Sequence, residues 1–210
     1  MKIAKKYKVV EYKNKISLKE KNLIIDIMKN ENAESIISKV SKKISSKFIQ
    51  ISINSENLHL FSIKLNQKLI GYALIAKKPE YLIRDFSSIR FDIFLNLFLK
   101  LKLFTIIDLA FSTLGIDIFF LEKQKKDIIA NSINLNLLAI HKDYQSRGIG
   151  KLFLKHLLQK KSIFAKGTHV TCETFSKKAE KFYINKCKFK IIGNKIRLFR
   201  KMVILKYTIN

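Results

Sequence analysis

In the first third of the chain, the spacing of apolar residues predicts one strand followed by two helices. Lys6–Tyr12 alternates roughly between polar and apolar side chains and predicts a strand. Ser17 followed by Glu20 has the pattern of a capping box, and the apolar residues behind it repeat at helical spacing. We therefore expect a helix over Ser17–Lys29, and the same period over Ala33–Ile44 predicts a second helix.

Residues 58–76 change to the period of a hairpin. Leu58–Leu65 alternates, Leu69–Ala76 is almost wholly apolar, and the short turn Asn66–Lys68 separates them. A continuous apolar run indicates a strand that is buried on both faces. We therefore expect an antiparallel hairpin whose second strand is central in its sheet, and Pro79 ends that strand.

The stretch after the hairpin predicts a helical insert over about residues 85–132. Apolar residues at helical spacing predict a helix from Asp85 to about Leu103, and Phe104–Leu114 continues it or packs against it. The charged patch Glu122–Asp127 predicts a solvated loop. Charges interrupt the apolar stretch before about 18 uninterrupted apolar residues accumulate, so we expect no transmembrane segment.

The last third predicts alternating strands and helices that end in a hairpin. The predicted elements are a strand at Ile133–Ile140, a helix at Gly148–Lys160, a strand at His169–Glu173, a helix at Ser176–Lys186, and strands at Phe189–Ile192 and Leu198–Tyr207 joined by the turn Gly193–Asn194. The order predicts an α/β (α+β) fold, with a mixed central sheet flanked by helices and a helical insert between the third and fourth strands. We expect one domain over residues 1–210.

The turn Gln145–Gly150 carries the first candidate chemistry, because it follows a predicted strand and opens a predicted helix. The first turn of a helix has unpaired N–H groups and a partial positive charge, and phosphates bind there. Gly148 and Gly150 would let the backbone approach a pyrophosphate, and Arg147 and Lys151 can add charged contacts. Tight connections also use glycine for structural reasons, so the glycines alone leave both interpretations open.

A second motif, Ser176–Phe189, follows the turn, and the two motifs together resemble those of one known family. Gln145–Gly150 matches the Gln/Arg-x-x-Gly-x-Gly/Ala signature of the GCN5-related N-acetyltransferase (GNAT) family. Ser176–Phe189 resembles that family's second motif, Asn-x-x-Ala-x-x-Phe-Tyr followed by Gly-Phe. Ser176 stands in place of the Asn, and Lys188 in place of the Gly. The insert resembles that of family members found with surface-polysaccharide biosynthesis.

The resemblance implies a transferase that moves the acetyl group of acetyl-CoA directly to a primary amine of a small molecule, with an amino sugar as one candidate. It also implies that the strand ending at Ile140 and the strand near Thr171 splay apart to admit the pantetheine arm. The residues implied in acetyl-CoA binding are Leu138, Ala139, Ile140, Gln145, Ser146, Arg147, Gly148, Ile149, Gly150, Lys151 and Ser176.

The resemblance also suggests how protons could move. Tyr183 matches the family's general acid, although an aromatic residue beside Phe182 could equally pack on a buried helix face. The strand Ile133–Ile140 has no carboxylate, so Glu173 is the candidate base and His141 a second one. Glu173 could also be a solvated residue at the end of a strand, and deprotonation through water would need neither side chain.

The charge balance keeps other functions open. Lys and Arg number 42 against 16 Asp and Glu, a formal net charge of +26, and they are scattered along the chain. Scattering favours compositional bias over a nucleic-acid footprint, which clusters on one face. A basic RNA- or ribosome-associated protein, or a protein N-acetyltransferase on the same fold, remains the alternative. A peripheral membrane protein with Phe91–Leu114 on anionic lipid is a weaker one.

The sulfur and imidazole side chains point to no cofactor chemistry. Cys172 and Cys187 form no disulfide framework, and the four histidines lack metal-ligand spacing, so we expect no metal. The first residues lack the apolar run of a signal peptide, and we expect a cytoplasmic protein. A homodimer stays open.

Overall fold

The computed structural model describes residues 7–32, 35–100, 102–103, 105–107, 122–197 and 200–209. Its strands are β1 (Tyr7–Tyr12), β2 (Leu58–Leu65), β3 (Lys68–Ala76), β4 (Ile133–Ile140), β5 (His169–Thr174), β6 (Lys190–Arg197) and β7 (Arg200–Thr208). These strands form one seven-stranded sheet in the order β1-β2-β3-β4-β5-β7-β6. Paired neighbours are antiparallel except β4 and β5, which are parallel. The predicted mixed sheet is confirmed.

Helices cover both faces of this sheet. They are α1 (Leu18–Glu31), α2 (Ile36–Lys39), α3 (Lys42–Asn54), α4 (Pro79–Asp85), α5 (Arg90–Leu99), α6 (Lys123–Ala130), α7 (Ile149–Leu158) and α8 (Lys177–Lys181). Short 3-10 turns occupy Ser87–Ile89 and Lys142–Tyr144, and a π-helical turn over Phe182–Lys186 continues α8.

The central strand β3 divides the interior into two hydrophobic cores. Tyr72 and Leu74 face the core formed with α1, α2, α3 and α5, whereas Ala73 and Ile75 face the core formed with α7 and α8. All four side chains are essentially inaccessible to solvent. The alternation shows why the strand is apolar along its whole length, since both of its faces are covered. The predicted central position is confirmed.

Serine caps decide where the N-terminal helices begin. The Ser17 hydroxyl accepts the Glu20 N–H at 3.2 Å, which confirms the predicted cap of α1. The predicted single helix over Ala33–Ile44 is wrong, because the backbone of Val40 is extended and Ser41 caps a new helix by accepting the Ile44 N–H at 3.4 Å. The new helix, α3, continues to Asn54 and buries its apolar stripe under the sheet.

The helical insert begins and ends differently from the prediction. Pro79 begins α4, where a proline at the first helical position loses no hydrogen bond, so the first insert helix starts before Asp85. The predicted loop Glu122–Asp127 is wrong, because Lys123–Ala130 is helical and buries Ile129. Most of Phe104–Leu114 lies outside the described residues.

The two predicted hairpin turns have different outcomes. Asn66 and Gln67 have φ values of 48° and 68°, the left-handed backbone of a two-residue hairpin turn. The predicted turn between β2 and β3 is therefore confirmed. The turn predicted at Gly193–Asn194 is wrong, because both residues lie inside β6. A register shift between Ile191 and Gly193 marks a bulge there. The glycine therefore marks a bulge, and Leu198, the predicted start of the last strand, lies outside the described residues.

Gly71 of β3 packs against the end of β4, and a substitution at Gly71 tests how tightly the two strands pack. A Cβ atom there would lie 2.6 Å from Ile140 Cδ1 and 2.7 Å from the Ala139 carbonyl oxygen. We expect Gly71→Ala to lower the free energy of unfolding by about 2 kcal/mol, because the backbone must shift. Denaturant titration measures it, with Asn194→Ala on the exposed side of β6 as a control that changes little. Equal effects of both changes would contradict the packing argument.

Candidate functional site

The strands β4 and β5 pair only at their N-terminal ends. Ile133 faces Val170 and Asn134 faces Thr171, and no further residue pair joins the two strands as described. A buried hydrogen bond of 2.6 Å between the hydroxyls of Ser132 and Thr171 closes this end. Past it the strands diverge, so the middle of the sheet opens as a V. This is the splay that the family resemblance implied.

A β-bulge in β4 lies at the beginning of the opening. Leu137 pairs with Leu74 and Leu135 with Ile75, so Asn136 is an extra residue against β3. The bulge reverses the alternation: Leu135 packs in the core below α7, whereas Leu137 packs in the other core. Asn136 is exposed and lines the opening, although it lies in the middle of a central strand.

The turn after β4 presents the N-terminus of α7 to the same opening. Gly148 caps the helix with φ of 77°, a left-handed conformation that favours glycine. The first intrahelical bond returns from the Leu152 N–H to the Gly148 carbonyl oxygen, at 3.1 Å. The N–H groups of the first helical turn therefore lack intrahelical partners and carry the positive end of the helix dipole.

A carboxylate from α1 holds this turn in place. Glu31 accepts the Lys142 N–H at 2.9 Å through Oε1 and the Gln145 side-chain N–H at 2.8 Å through Oε2. Gln145 also donates to the Ile140 carbonyl oxygen at 2.8 Å and accepts from Lys178 Nζ at 2.9 Å. Gln145 therefore connects α1, the end of β4 and α8, and its main contacts are within the protein.

The opening and the turn belong to one cleft of about 1260 Å³. Near the N-terminus of α7 its lining is rich in basic residues. Lys151, Lys178, Lys181 and Lys186 line the cleft there, and we call this end the cationic mouth. Positive side chains at a helix N-terminus form a setting that binds phosphate groups.

Most of the residues predicted to bind the cofactor line this cleft together. They are Leu138, Ala139, Ile140, Gln145, Ser146, Gly148, Gly150, Lys151 and Ser176. Two others point elsewhere: Ile149 is buried in the core, and the exposed Arg147 guanidinium lies 5.8 Å from the centroid of the Tyr144 ring. Ser176 caps α8 by accepting the Ala179 N–H at 3.3 Å.

Gly150 has a packing role that the motif does not reveal. A Cβ atom at this position would lie 3.3 Å from the ring of Phe182, so the glycine lets α7 and the π-helical turn after α8 approach closely. Phe182 itself lines the cleft. The two sequence motifs therefore contact each other directly in the fold.

Tyr183 lies in the hydrophobic core rather than among the described residues of the cleft lining. Its ring packs 5.2 Å from that of Phe182 and 5.3 Å from that of Phe189, between ring centroids. Burial, with a smaller contribution from the neighbouring Cys172 and Cys187, raises the pKa of Tyr183 well above its usual value. The phenol is therefore protonated at neutral pH, and its role as a general acid stays a prediction.

Glu173 lines the cleft at the end of β5, as the candidate base should. Its Oε2 lies 2.8 Å from Nζ of Lys195, a lysine of β6 whose side chain is only 6% exposed. Sequence reasoning missed Lys195, because one lysine among many carries no sign of burial. His141 instead accepts the Asp143 N–H at 3.3 Å and is not among the described residues of the cleft lining.

Comparison with known proteins identifies this architecture. No protein-family model and no curated protein sequence matches the chain. Solved structures do match, among them a GNAT-family acetyltransferase from Streptococcus pneumoniae at 13% identity, covering 98% of this chain and 100% of that one with a TM-score of 0.53. The chain has the fold of the GNAT acetyltransferases.

Two further GNAT-fold structures carry more specific names. The ribosomal-protein-S18-alanine N-acetyltransferase of Escherichia coli is 14% identical, with a TM-score of 0.54 over 98% of this chain and 95% of that one. The polyamine N-acetyltransferase of Drosophila melanogaster is 7% identical, with a TM-score of 0.55 over 96% and 100%. The GNAT fold therefore matches over nearly the full length, at identities that say nothing about the substrate.

Two features are absent from the described part of the chain. None of its helices is long and apolar enough to cross a membrane. Within the same ranges, no cluster of His, Cys, Asp and Glu side chains is arranged to hold a metal ion.

The hydrogen bonds that Glu31 accepts from the turn after β4 lead to a testable prediction. We expect Glu31→Ala to speed hydrogen exchange of the Lys142 amide by roughly tenfold or more, because hydrogen bonds to a charged acceptor each contribute about 1.5–3 kcal/mol. Exchange measured by mass spectrometry or NMR reports this directly. Glu180→Ala, which removes an exposed pair with Lys177, is the control. Unchanged protection at Lys142 in the first variant would show that these hydrogen bonds do not hold the turn.

Proposed function

We propose that the chain is an N-acetyltransferase that moves the acetyl group of acetyl-CoA directly to a primary amine of a small molecule. The observation that carries the proposal is the opening between β4 and β5, which leads to the N-terminus of α7 inside one cleft. Neither feature alone requires a nucleotide-bearing ligand. Together they offer an anion site at one end and an unpaired strand edge beside it.

The cleft residues fit the parts of acetyl-CoA by their chemistry. Gly148 and the free N–H groups of the first turn of α7 would hold the pyrophosphate, and the cationic mouth would neutralise its charge and that of the ribose phosphate. The edge of β4 past Asn134 has no β5 partner, so its backbone groups are available to the amides of the pantetheine arm. Leu138 and Ala139 lie on this edge.

The chain's own groups would orient the acceptor and move its protons, while bound acetyl-CoA would supply an activated thioester. Glu173 is the proposed base, because its carboxylate lines the cleft and Lys195 fixes one of its oxygens. Tyr183 is the proposed acid, because it stands at the tyrosine position of the second motif, where the resemblance implies the general acid. Burial among Phe182 and Phe189 also supports a packing role, and a variant distinguishes the two.

The first test is the affinity for acetyl-CoA. Saturating acetyl-CoA should raise the Tm of the protein, and Lys151→Gln should weaken binding about tenfold, because a charge-assisted phosphate contact is worth about 1.5–3 kcal/mol. Isothermal titration calorimetry at one fixed salt concentration measures the Kd.

The matched control is Lys155→Gln, which removes the same charge from an exposed position on the same helix. Its Kd should stay close to that of the parent protein. Equal weakening in both variants would mean that only the overall charge of +26 attracts the ligand. A well-folded parent protein without any Tm shift would contradict the proposed function.

The second test separates the two roles of Tyr183. We expect Tyr183→Phe to leave the Kd for acetyl-CoA unchanged and to lower kcat about a hundredfold, the usual size of a general-acid contribution. Steady-state release of the CoA thiol measures kcat. Tyr207→Phe is the control, since the Tyr207 ring packs against that of Phe189 in the same core, with 5.4 Å between the ring centroids. Full activity of Tyr183→Phe would assign Tyr183 to packing alone.

A further inference from the structure

The end of the cleft opposite the cationic mouth has the opposite chemistry. Apolar side chains from α2, α3 and the insert helices line it, and we call this end the apolar mouth. Its described apolar residues include Ile36, Ile37, Phe48, Leu82, Phe86 and Ile93. Phe48 and Phe86 stack with ring centroids 4.2 Å apart and an interplanar angle of 18°, so the two rings form one aromatic surface at this end of the cleft.

Polar residues border this apolar wall at the end of α1 and before α2, namely Glu31, Asn32 and Ser35, and one cationic side chain lies within it. Arg90, at the start of α5, is the sole ionisable residue that the described part of the insert contributes to the cleft lining. Its Nη2 donates to the Ile83 carbonyl oxygen at 2.6 Å, which fixes the guanidinium beside the wall. A guanidinium has five N–H donors, so this contact leaves most of its hydrogen-bonding capacity available.

The acidic residues near Arg90 have other partners. Asp92 pairs with Lys47 at 2.6 Å, and Asp85 accepts from Arg84 at 3.0 Å and from the Ser55 hydroxyl at 2.5 Å. Among the described residues, none of the carboxylates is in ion-pair distance of Arg90. The fold therefore presents a fixed cation at an apolar surface without a carboxylate from these ranges to neutralise it.

We propose that the acceptor is a small amine with an apolar body and a carboxylate, and that Arg90 binds the carboxylate while the apolar mouth binds the body. This deepens the proposed function and rests on it. A planar guanidinium matches a carboxylate through two parallel hydrogen bonds. The site thus selects an apolar amino acid.

An amino sugar fits the apolar mouth less well. Its ring would bring several hydroxyl groups against Phe48, Phe86 and their apolar neighbours. A hydroxyl group that leaves water without a hydrogen-bond partner costs free energy, and side chains of this kind offer none. An apolar body loses nothing at the same surface and gains from its own burial.

The test uses acceptor pairs that differ only in the carboxylate: phenylalanine with phenethylamine, leucine with isoamylamine, and 6-aminohexanoate with pentylamine. The third pair places the carboxylate far from the amine, so that the test also covers a longer distance between these two groups of the acceptor. CoA release gives kcat/KM for each acceptor, and glucosamine is included for the sugar. We expect the parent protein to prefer the carboxylate member of at least one pair by about tenfold or more, and over glucosamine.

Variants of Arg90 test whether this residue causes the preference for the carboxylate. Arg90→Gln should remove it by raising KM for the carboxylate member alone, and Arg90→Lys should restore part of it. Arg84→Gln is the matched control, since Arg84 lies over the Tyr81 ring at 4.6 Å on the neighbouring helix and should leave the preference intact. Acetyl-CoA affinity of each variant, measured by calorimetry, shows that the cationic mouth is unaffected.

The outcomes separate this inference from the proposed function. If acetyl-CoA binds and amines are acetylated, but no pair shows the preference or Arg90→Gln keeps it, the inference is overturned and the proposed function stands. If acetyl-CoA does not bind to the parent protein, both fail. If Arg90→Gln does not fold, the preference of the parent protein and its partial reduction in Arg90→Lys decide the question.

Discussion

The short pairing of β4 with β5 is the constraint on which the rest of the structure depends. A buried strand normally satisfies its backbone groups on both sides, but β4 has β5 beside it only at Ile133 and Asn134. The hydroxyl pair of Ser132 and Thr171 holds that closed end, and the bulge at Asn136 begins the open one. An edge inside a sheet costs stability unless something pairs with it, and the opening therefore supports the proposal of an extended ligand with amide groups.

Because β5 does not support the far end of β4, other elements must do so. β3 approaches so closely that Gly71 has no room for a side chain, and the Ile70 carbonyl oxygen accepts the His141 N–H at 2.8 Å. Glu31 then holds the turn from the side of α1. Hydrogen bonds from α1 and β3 thus hold the turn after β4 without any contribution from β5, and such preorganisation is what the proposed anion site requires.

Local chemistry in the sequence predicted much of this fold, and long-range contacts accounted for most of what it could not predict. The cap Ser17 and the turn at Asn66–Gln67 act over two or three residues, so their patterns were sufficient, whereas the equally local cap Ser41 was missed. The bulge left a weaker trace: strict alternation over Ile133–Asn136 gives way to the adjacent apolar residues Leu137 and Leu138. The hydrogen bond between Glu31 and Gln145 spans 114 residues of chain, and no local pattern marks either partner. The same holds for Lys195, whose burial follows from tertiary packing alone.

The two mouths of the cleft differ in chemistry, and the proposed function assigns a different kind of ligand to each. Phosphates are attracted to Lys151 and its neighbours and would lose hydration without compensation at the apolar wall of Phe48 and Phe86. An apolar acceptor has the converse preference. On the proposed function, cofactor and acceptor would enter from opposite ends and meet near the bulge of β4, where the pairing with β5 has ended. Such a meeting favours direct attack by the amine, since no third group has to carry the acetyl between two separate sites.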